Sequence, residues 1–150
     1  MSILQRAFRV LPAGGFSLLS LLCGAGLAQA AELTVVVGGL TKPEGQVMVA
    51  LFNDPAGFPR GKVLNGQMTS AKPGQVEVVF KDLAPGTYAV SAYQDLNSNQ
   101  RLDANMVGMP TEPYGFSRDA KGQFGPPKFD DAAFKVGAEP QRIQLKLSGQ

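Results

Sequence analysis

Thr87-Tyr88-Ala89-Val90-Ser91-Ala92-Tyr93 runs straight into Gln94-Asp95-Leu96-Asn97-Ser98-Asn99-Gln100-Arg101-Leu102-Asp103. The first seven residues have the length and apolar content of a buried strand. The residues after them cannot extend it, because Asn, Asp and Ser side chains bond nearby backbone and favour turns. A central strand delivering an oxygen-rich loop is the expectation, and the flanking segments decide what kind of sheet it joins.

Upstream, Leu33-Thr34-Val35-Val36-Val37 is a β-branched run ended by Gly38-Gly39, a first strand. Lys42-Pro43-Glu44-Gly45 turns the chain into Gln46-Val47-Met48-Val49-Ala50-Leu51-Phe52. This second strand is apolar on both faces, which places it in the middle of a sandwich. Asn53-Asp54-Pro55 reads as a turn or helix start with Asp54 as cap. Phe58 and Val63 are expected to tuck that segment onto the core. Gln67 to Ser70 is a short edge strand. Gln75 to Phe80 turns Val76, Val78 and Phe80 inward, and Asp82-Leu83-Ala84-Pro85-Gly86 is a tight turn.

Downstream, four Gly and four Pro between Ala104 and Lys128 rule out regular structure there. Phe129 to Val136 predicts a helical turn capped by Asp130, then a short strand. Arg142-Ile143-Gln144-Leu145-Lys146-Leu147 alternates as a half-buried final strand. About seven short strands with turn signals between them predict one all-β domain, an antiparallel β-sandwich of Ig-like or transthyretin-like kind with a long Gly/Pro-rich loop. Val47, Val49, Leu51, Val78, Phe80, Tyr88, Val90, Ile143 and Leu145 are the expected core.

The N-terminus reads differently. Arg6 and Arg9, an apolar run from Phe16 to Leu27, and Ala28-Gln29-Ala30 make a signal peptide over residues 1–30, with the sandwich at 31–150. The apolar run is too short for a membrane span. Leu22 stands before Cys23 where a lipobox needs a small residue, so lipidation is disfavoured. Export to the periplasm or cell exterior is expected, with no membrane insertion after cleavage. Removing Arg6 and Arg9 leaves twelve basic residues against twelve acidic ones, so the whole-chain charge of +2 overstates the mature domain. A near-neutral domain with no basic block argues against nucleic acid as a partner.

The chain has no histidine, and its one cysteine lies in the signal segment. Ser-His-Asp and Cys-His catalysis and His or thiolate zinc sites are thereby excluded from the mature domain. Carboxylates remain: Glu112, Asp130 and Asp131 are the candidates for an acid pair, with nothing in their spacing to favour one.

In the loop, Asp95, Asn97, Asn99 and Asp103 occupy places 1, 3, 5 and 9, and the Arg101 carbonyl occupies place 7. Alternate oxygens converging from one loop suit Ca²⁺. Gln100 stands where an EF-hand has Gly, and Met106 where it has a bidentate Glu, so any such site is weak. The competing reading is a run of Asx turns. Farther on, Glu112, Tyr114, Phe116 and Phe124 form a candidate glycan- or peptide-binding surface, against a satellite core packed under a long loop.

Asp95-x-Asn97-x-Asn99-x-x-x-Asp103, Gly108-x-Pro110-x-Glu112-x-Tyr114-Gly115-Phe116-Ser117 and Phe124-Gly125-x-Pro127-x-Phe129-x-x-Ala132 together resemble the bacterial domain-of-unknown-function family numbered 2141. Asp82-Leu83-Ala84-Pro85-Gly86-Thr87-Tyr88 fits as well. The resemblance covers nearly all of the mature chain and implies an exported protein of a class with no established activity. The family's loop usually carries Gly where Gln100 stands. More loosely, the Pro-Gly-x-Tyr turn is similar to transthyretin-like and carboxypeptidase-regulatory sandwiches, and the loop to calcium loops of bacterial surface β-domains. The expectation is an exported non-catalytic module with a weak structural Ca²⁺. A glycan- or peptide-binding protein is the alternative, and a carboxylate-dependent hydrolase the remote one.

Overall fold

The structure, a computed structural model, describes residues 30–149. The signal-peptide reading and the question of Cys23 lie outside the described residues. Eight strands form: β1 (Ala31–Leu40), β2 (Gln46–Phe52), β3 (Asn65–Ser70), β4 (Gly74–Leu83), β5 (Gly86–Asp95), β6 (Tyr114–Phe116), β7 (Phe134–Val136) and β8 (Gln141–Lys146). A one-turn helix, α1 (Phe129–Ala132), precedes β7. One sheet has the order β4-β1-β8, and the other β3-β2-β5-β6 with β7 also on β5. The all-β sandwich is as the strand pattern predicts.

Period-two alternation makes the interior. Leu33, Val35 and Val37 of β1, Val76, Val78 and Phe80 of β4, and Leu145 of β8 meet Val47, Val49 and Leu51 of β2 and Tyr88, Val90 and Ala92 of β5 in one buried cluster. Ile143 packs against it, partly buried. Each such aliphatic side chain contributes about 1.5–3 kcal/mol by leaving water, which is why a domain without disulfides holds together.

A second cluster lies on the other face of the β5 sheet. Phe58 sits edge-to-face against Phe52, Phe116 and Phe129, at centroid distances of 5.4, 5.7 and 5.9 Å. Ala89 and Ala132 complete it. The hydroxyl of Ser117, 1% exposed, accepts the Val90 N–H at 2.9 Å and donates to the Ala132 carbonyl at 2.6 Å. It fastens the segment after β6 and the end of α1 to the backbone of β5.

The structure corrects several local expectations. β8 pairs with β1 in parallel, because the register Val35↔Ile143 and Val37↔Leu145 delivers its apolar side chains to the core. β4 runs on to Leu83, absorbing the first half of the expected turn with Asp82 at a positive φ of 58°. Of the two readings at Asp54 the turn holds: its carboxylate accepts the Ala56 N–H at 2.9 Å and no helix follows. Val63 is 41% exposed, displaced from the core role that Phe58 alone fills. Asp131, not Asp130, closes the start of α1 by accepting the Lys128 N–H at 3.1 Å, since position N3 faces back along the helix.

Candidate functional site

β5 ends at Asp95, whose side chain is fully buried. Gly45 lets the preceding turn lie against this point: its φ is 68°, and a Cβ there would fall 1.8 Å from the Asp95 carbonyl. Gln94, 1% exposed, ties the same turn down by donating to the carbonyls of Lys42 at 3.0 Å and Glu44 at 2.8 Å. The loop thus leaves the sheet from a fixed base.

Asp95 Oδ1 accepts the Asn99 N–H at 3.1 Å, and Oδ2 accepts the Gln100 N–H at 2.7 Å. Asn97 Oδ1 also accepts the Asn99 N–H, at 3.1 Å, and Asn99 Oδ1 accepts the Arg101 N–H at 2.8 Å. The Asn97 and Asn99 bonds are Asx turns, while Asp95 reaches four and five residues on to cap the loop. The Asn97 amide donates to Asp103 at 2.7 Å and the Asn99 amide donates to the same carboxylate at 3.1 and 3.0 Å. Gln100 holds a left-handed φ of 62°. A backbone of that hand is unstrained for glycine and costs other residues about 1–2 kcal/mol.

Glu112 closes the loop from outside it. It is 4% exposed and accepts the Leu96 N–H at 2.8 Å and the Asp103 N–H at 2.9 Å, one on each oxygen. Beside it, Gln94 N–H donates to the Pro113 carbonyl at 2.8 Å. Burial and the nearby charges of Asp95, Glu112 and Asp103 push the Tyr93 hydroxyl above its ordinary value, so the three carboxylates share one electrostatic neighbourhood. Arg142–Glu77 is the only ion pair among the described residues, so none of the three has a cationic partner there.

The structure therefore brings Asp95, Asn97, Asn99, Asp103 and Glu112 together, with Arg101 on the same loop. Glu112 belongs to this acidic group and not to the aromatic one where the sequence reading placed it. As arranged, the amide nitrogens of Asn97 and Asn99, not their oxygens, face Asp103. Among the described residues, no group of three or more His, Cys, Asp or Glu side chains is placed to hold a metal ion. One observation points the other way. Gln46 Oε1 is buried with no hydrogen-bond partner, and Gln46 pairs with Asp95 across β2 and β5 on the outward face.

The aromatic residues separate. Phe116 is buried in the second cluster, Tyr114 is half-buried against it at 5.9 Å, and Phe124 is fully exposed. The packed-under reading describes Tyr114 and Phe116; Phe124 stands apart in solvent. Asp130 and Asp131 lie exposed on α1, while Glu112 is buried beneath the acidic loop.

Comparison with known proteins gives one match. A family described as "Uncharacterized protein conserved in bacteria (DUF2141)" matches residues 35–144. No curated protein and no solved structure matches the chain.

Proposed function

The chain belongs to this uncharacterised bacterial family, and from that premise we propose an exported, non-catalytic β-sandwich module whose acidic loop is a rigid frame. The supporting observation is where the carboxylates are spent. Both oxygens of Asp95 and both of Glu112 accept backbone N–H groups. Oxygens so engaged hold the loop's shape and are not presented to a substrate. The test is an assay of the purified protein on chromogenic glycosides, esters and peptides, alongside Glu112→Gln. No turnover, with a lower melting temperature in the variant, is expected. Turnover that Glu112→Gln abolishes while its circular dichroism stays native would overturn the reading.

The partnerless Gln46 Oε1 favours a second reading, a weak Ca²⁺ at the base of the loop. Gln46 and Asp95 are directly paired on one sheet face, where side chains approach within about 5 Å. An acceptor with nothing to accept, next to three uncompensated carboxylates, is an environment that a hard cation relieves. Asp95, Asp103, Glu112 and Gln46 would supply its oxygens, and Asn97 and Asn99 would have to turn their amides over to join. Melting with Ca²⁺ and with EDTA separates this reading from the self-satisfied frame.

A further inference from the structure

A groove of about 810 Å³ crosses the outward face of the second sheet and reaches Gln100, Arg101 and Leu102 of the acidic loop at one end. The pairing register explains it. Gly66, Ala50 and Ser91 lie side by side on β3, β2 and β5. Three small residues abreast leave a trough. The adjoining row, Met68, Met48 and Tyr93, stands taller and forms one wall. Val63 and Leu64, 41% and 47% exposed, come from the β2–β3 loop to line the groove as well. The open space is real at the floor: a Cβ built on Gly66 would meet no heavy atom within 4 Å.

Charge then selects the occupant. The charged side chains lining the groove are Arg60 and Arg101, with no Asp or Glu among its lining residues. Arg60 comes from the loop after β2, at the Phe52 end of the sheet. Arg101 comes from the loop after β5, whose last residue pairs with Gln46 at the opposite end. Neither guanidinium is in an ion pair among the described residues. Flexible thioether and aliphatic walls suit a flexible hydrocarbon chain, because methionine adapts its shape to irregular apolar surfaces. Flat stacked sugars would need an exposed aromatic platform; of the two lining rings Phe52 is buried, which leaves Tyr93.

We propose that this groove binds a single-chain anionic amphiphile, a fatty carboxylate, with its chain over Gly66, Ala50 and Ser91 and its head on Arg60, at the end away from the acidic loop. The reading gives the non-catalytic module a ligand, and its equilibrium test stands whichever way the turnover assays fall. The probe is dodecanoate below its micelle concentration, with dodecyltrimethylammonium as the cationic counterpart. Calorimetry on the purified protein should show saturable dodecanoate binding, with the cationic chain weaker by roughly tenfold or more, the scale of one charge-assisted hydrogen bond. Gly66→Leu fills the trough and should abolish binding without lowering the melting temperature. The double variant Arg60→Gln/Arg101→Gln should weaken dodecanoate by roughly tenfold and leave the cationic chain unchanged. Equal binding of both amphiphiles, or undiminished binding by Gly66→Leu, would refute the site. So would a dimer in sedimentation that Gly66→Leu dissociates, which would make the groove a self-interface.

Discussion

The carboxylate of Glu112 accepts the backbone N–H of Asp103 at 2.9 Å while its other oxygen accepts that of Leu96. One buried side chain thus closes both ends of the acidic loop. Glu112→Ala leaves two part-buried donors without their acceptor, and hydrogen bonds to charged groups are the stronger kind. A loss of about 2–4 kcal/mol is expected in urea denaturation. A loss within experimental error would mean that water replaces the carboxylate freely and the loop is not latched.

Val90 tests the core. It is fully buried on β5, between the two sheets. Val90→Ala should cost about 1–3 kcal/mol from lost transfer energy and the cavity left behind. The midpoint should move with an unchanged denaturant slope.

Ser117 tests the junction with the second cluster. Ser117→Ala strands the Val90 N–H in a buried setting and frees the Ala132 carbonyl, costing about 1–3 kcal/mol. Hydrogen exchange at Val90 should accelerate more than at Val49, which the same sheet buries without Ser117. Equal acceleration at both sites would show a global rather than a local role.

Alternation carried most of the fold into the sequence. Val47, Val49 and Leu51, or Val76, Val78 and Phe80, declare a face because burial acts on every second residue. The partnership of β8 with β1 was not legible, since alternation says which face is apolar but not the direction of the neighbour. In the loop, Asx spacing marked Asp95, Asn97, Asn99 and Asp103 as one unit, yet the same spacing serves Asx turns and a cation alike. Glu112 was legible as an acid or binding candidate, but not as the clasp of the loop, because its bonds to Leu96 and Asp103 span sixteen and nine positions. Ser117 and Gln94 gave no signal of their own. The groove was hidden for a related reason: Gly66, Ala50 and Ser91 become a trough only once the register sets them abreast.

Gln100 bears on the family resemblance. Its φ of 62° explains why glycine suits this place. Gln100→Gly should be neutral or stabilising by up to about 1 kcal/mol, relief of the left-handed strain being partly offset by chain entropy. Gln100→Val, β-branched, should destabilise instead. Paired melts decide it, and a Gly variant less stable than the Val variant would contradict the assignment.

The last prediction joins Tyr93 to the cation. Burial first, then Asp95, Glu112 and Asp103, raise the Tyr93 hydroxyl above 10.0 in the fold. A raised folded value means that the neutral form is favoured by folding. That stability is present below pH 10 and is lost as pH rises through the folded value. Ultraviolet titration should therefore find Tyr93 ionising later than a free phenol, and Asp95→Asn should bring it down. A bound Ca²⁺ would cancel much of the carboxylate field, so saturating Ca²⁺ should lower the Tyr93 value in wild type and not in Asp95→Ala. With few carboxylates and no acid at Met106, affinity should be weak, roughly 10⁻⁴–10⁻³ M. Millimolar Ca²⁺ would then stabilise the fold by about 1–2 kcal/mol through linkage. That is a rise of a few degrees in the melting temperature of a domain this size. EDTA and Ca²⁺ melts that coincide, together with an unmoved Tyr93 titration, would leave the amides of Asn97 and Asn99 as all the counterweight that Asp103 has.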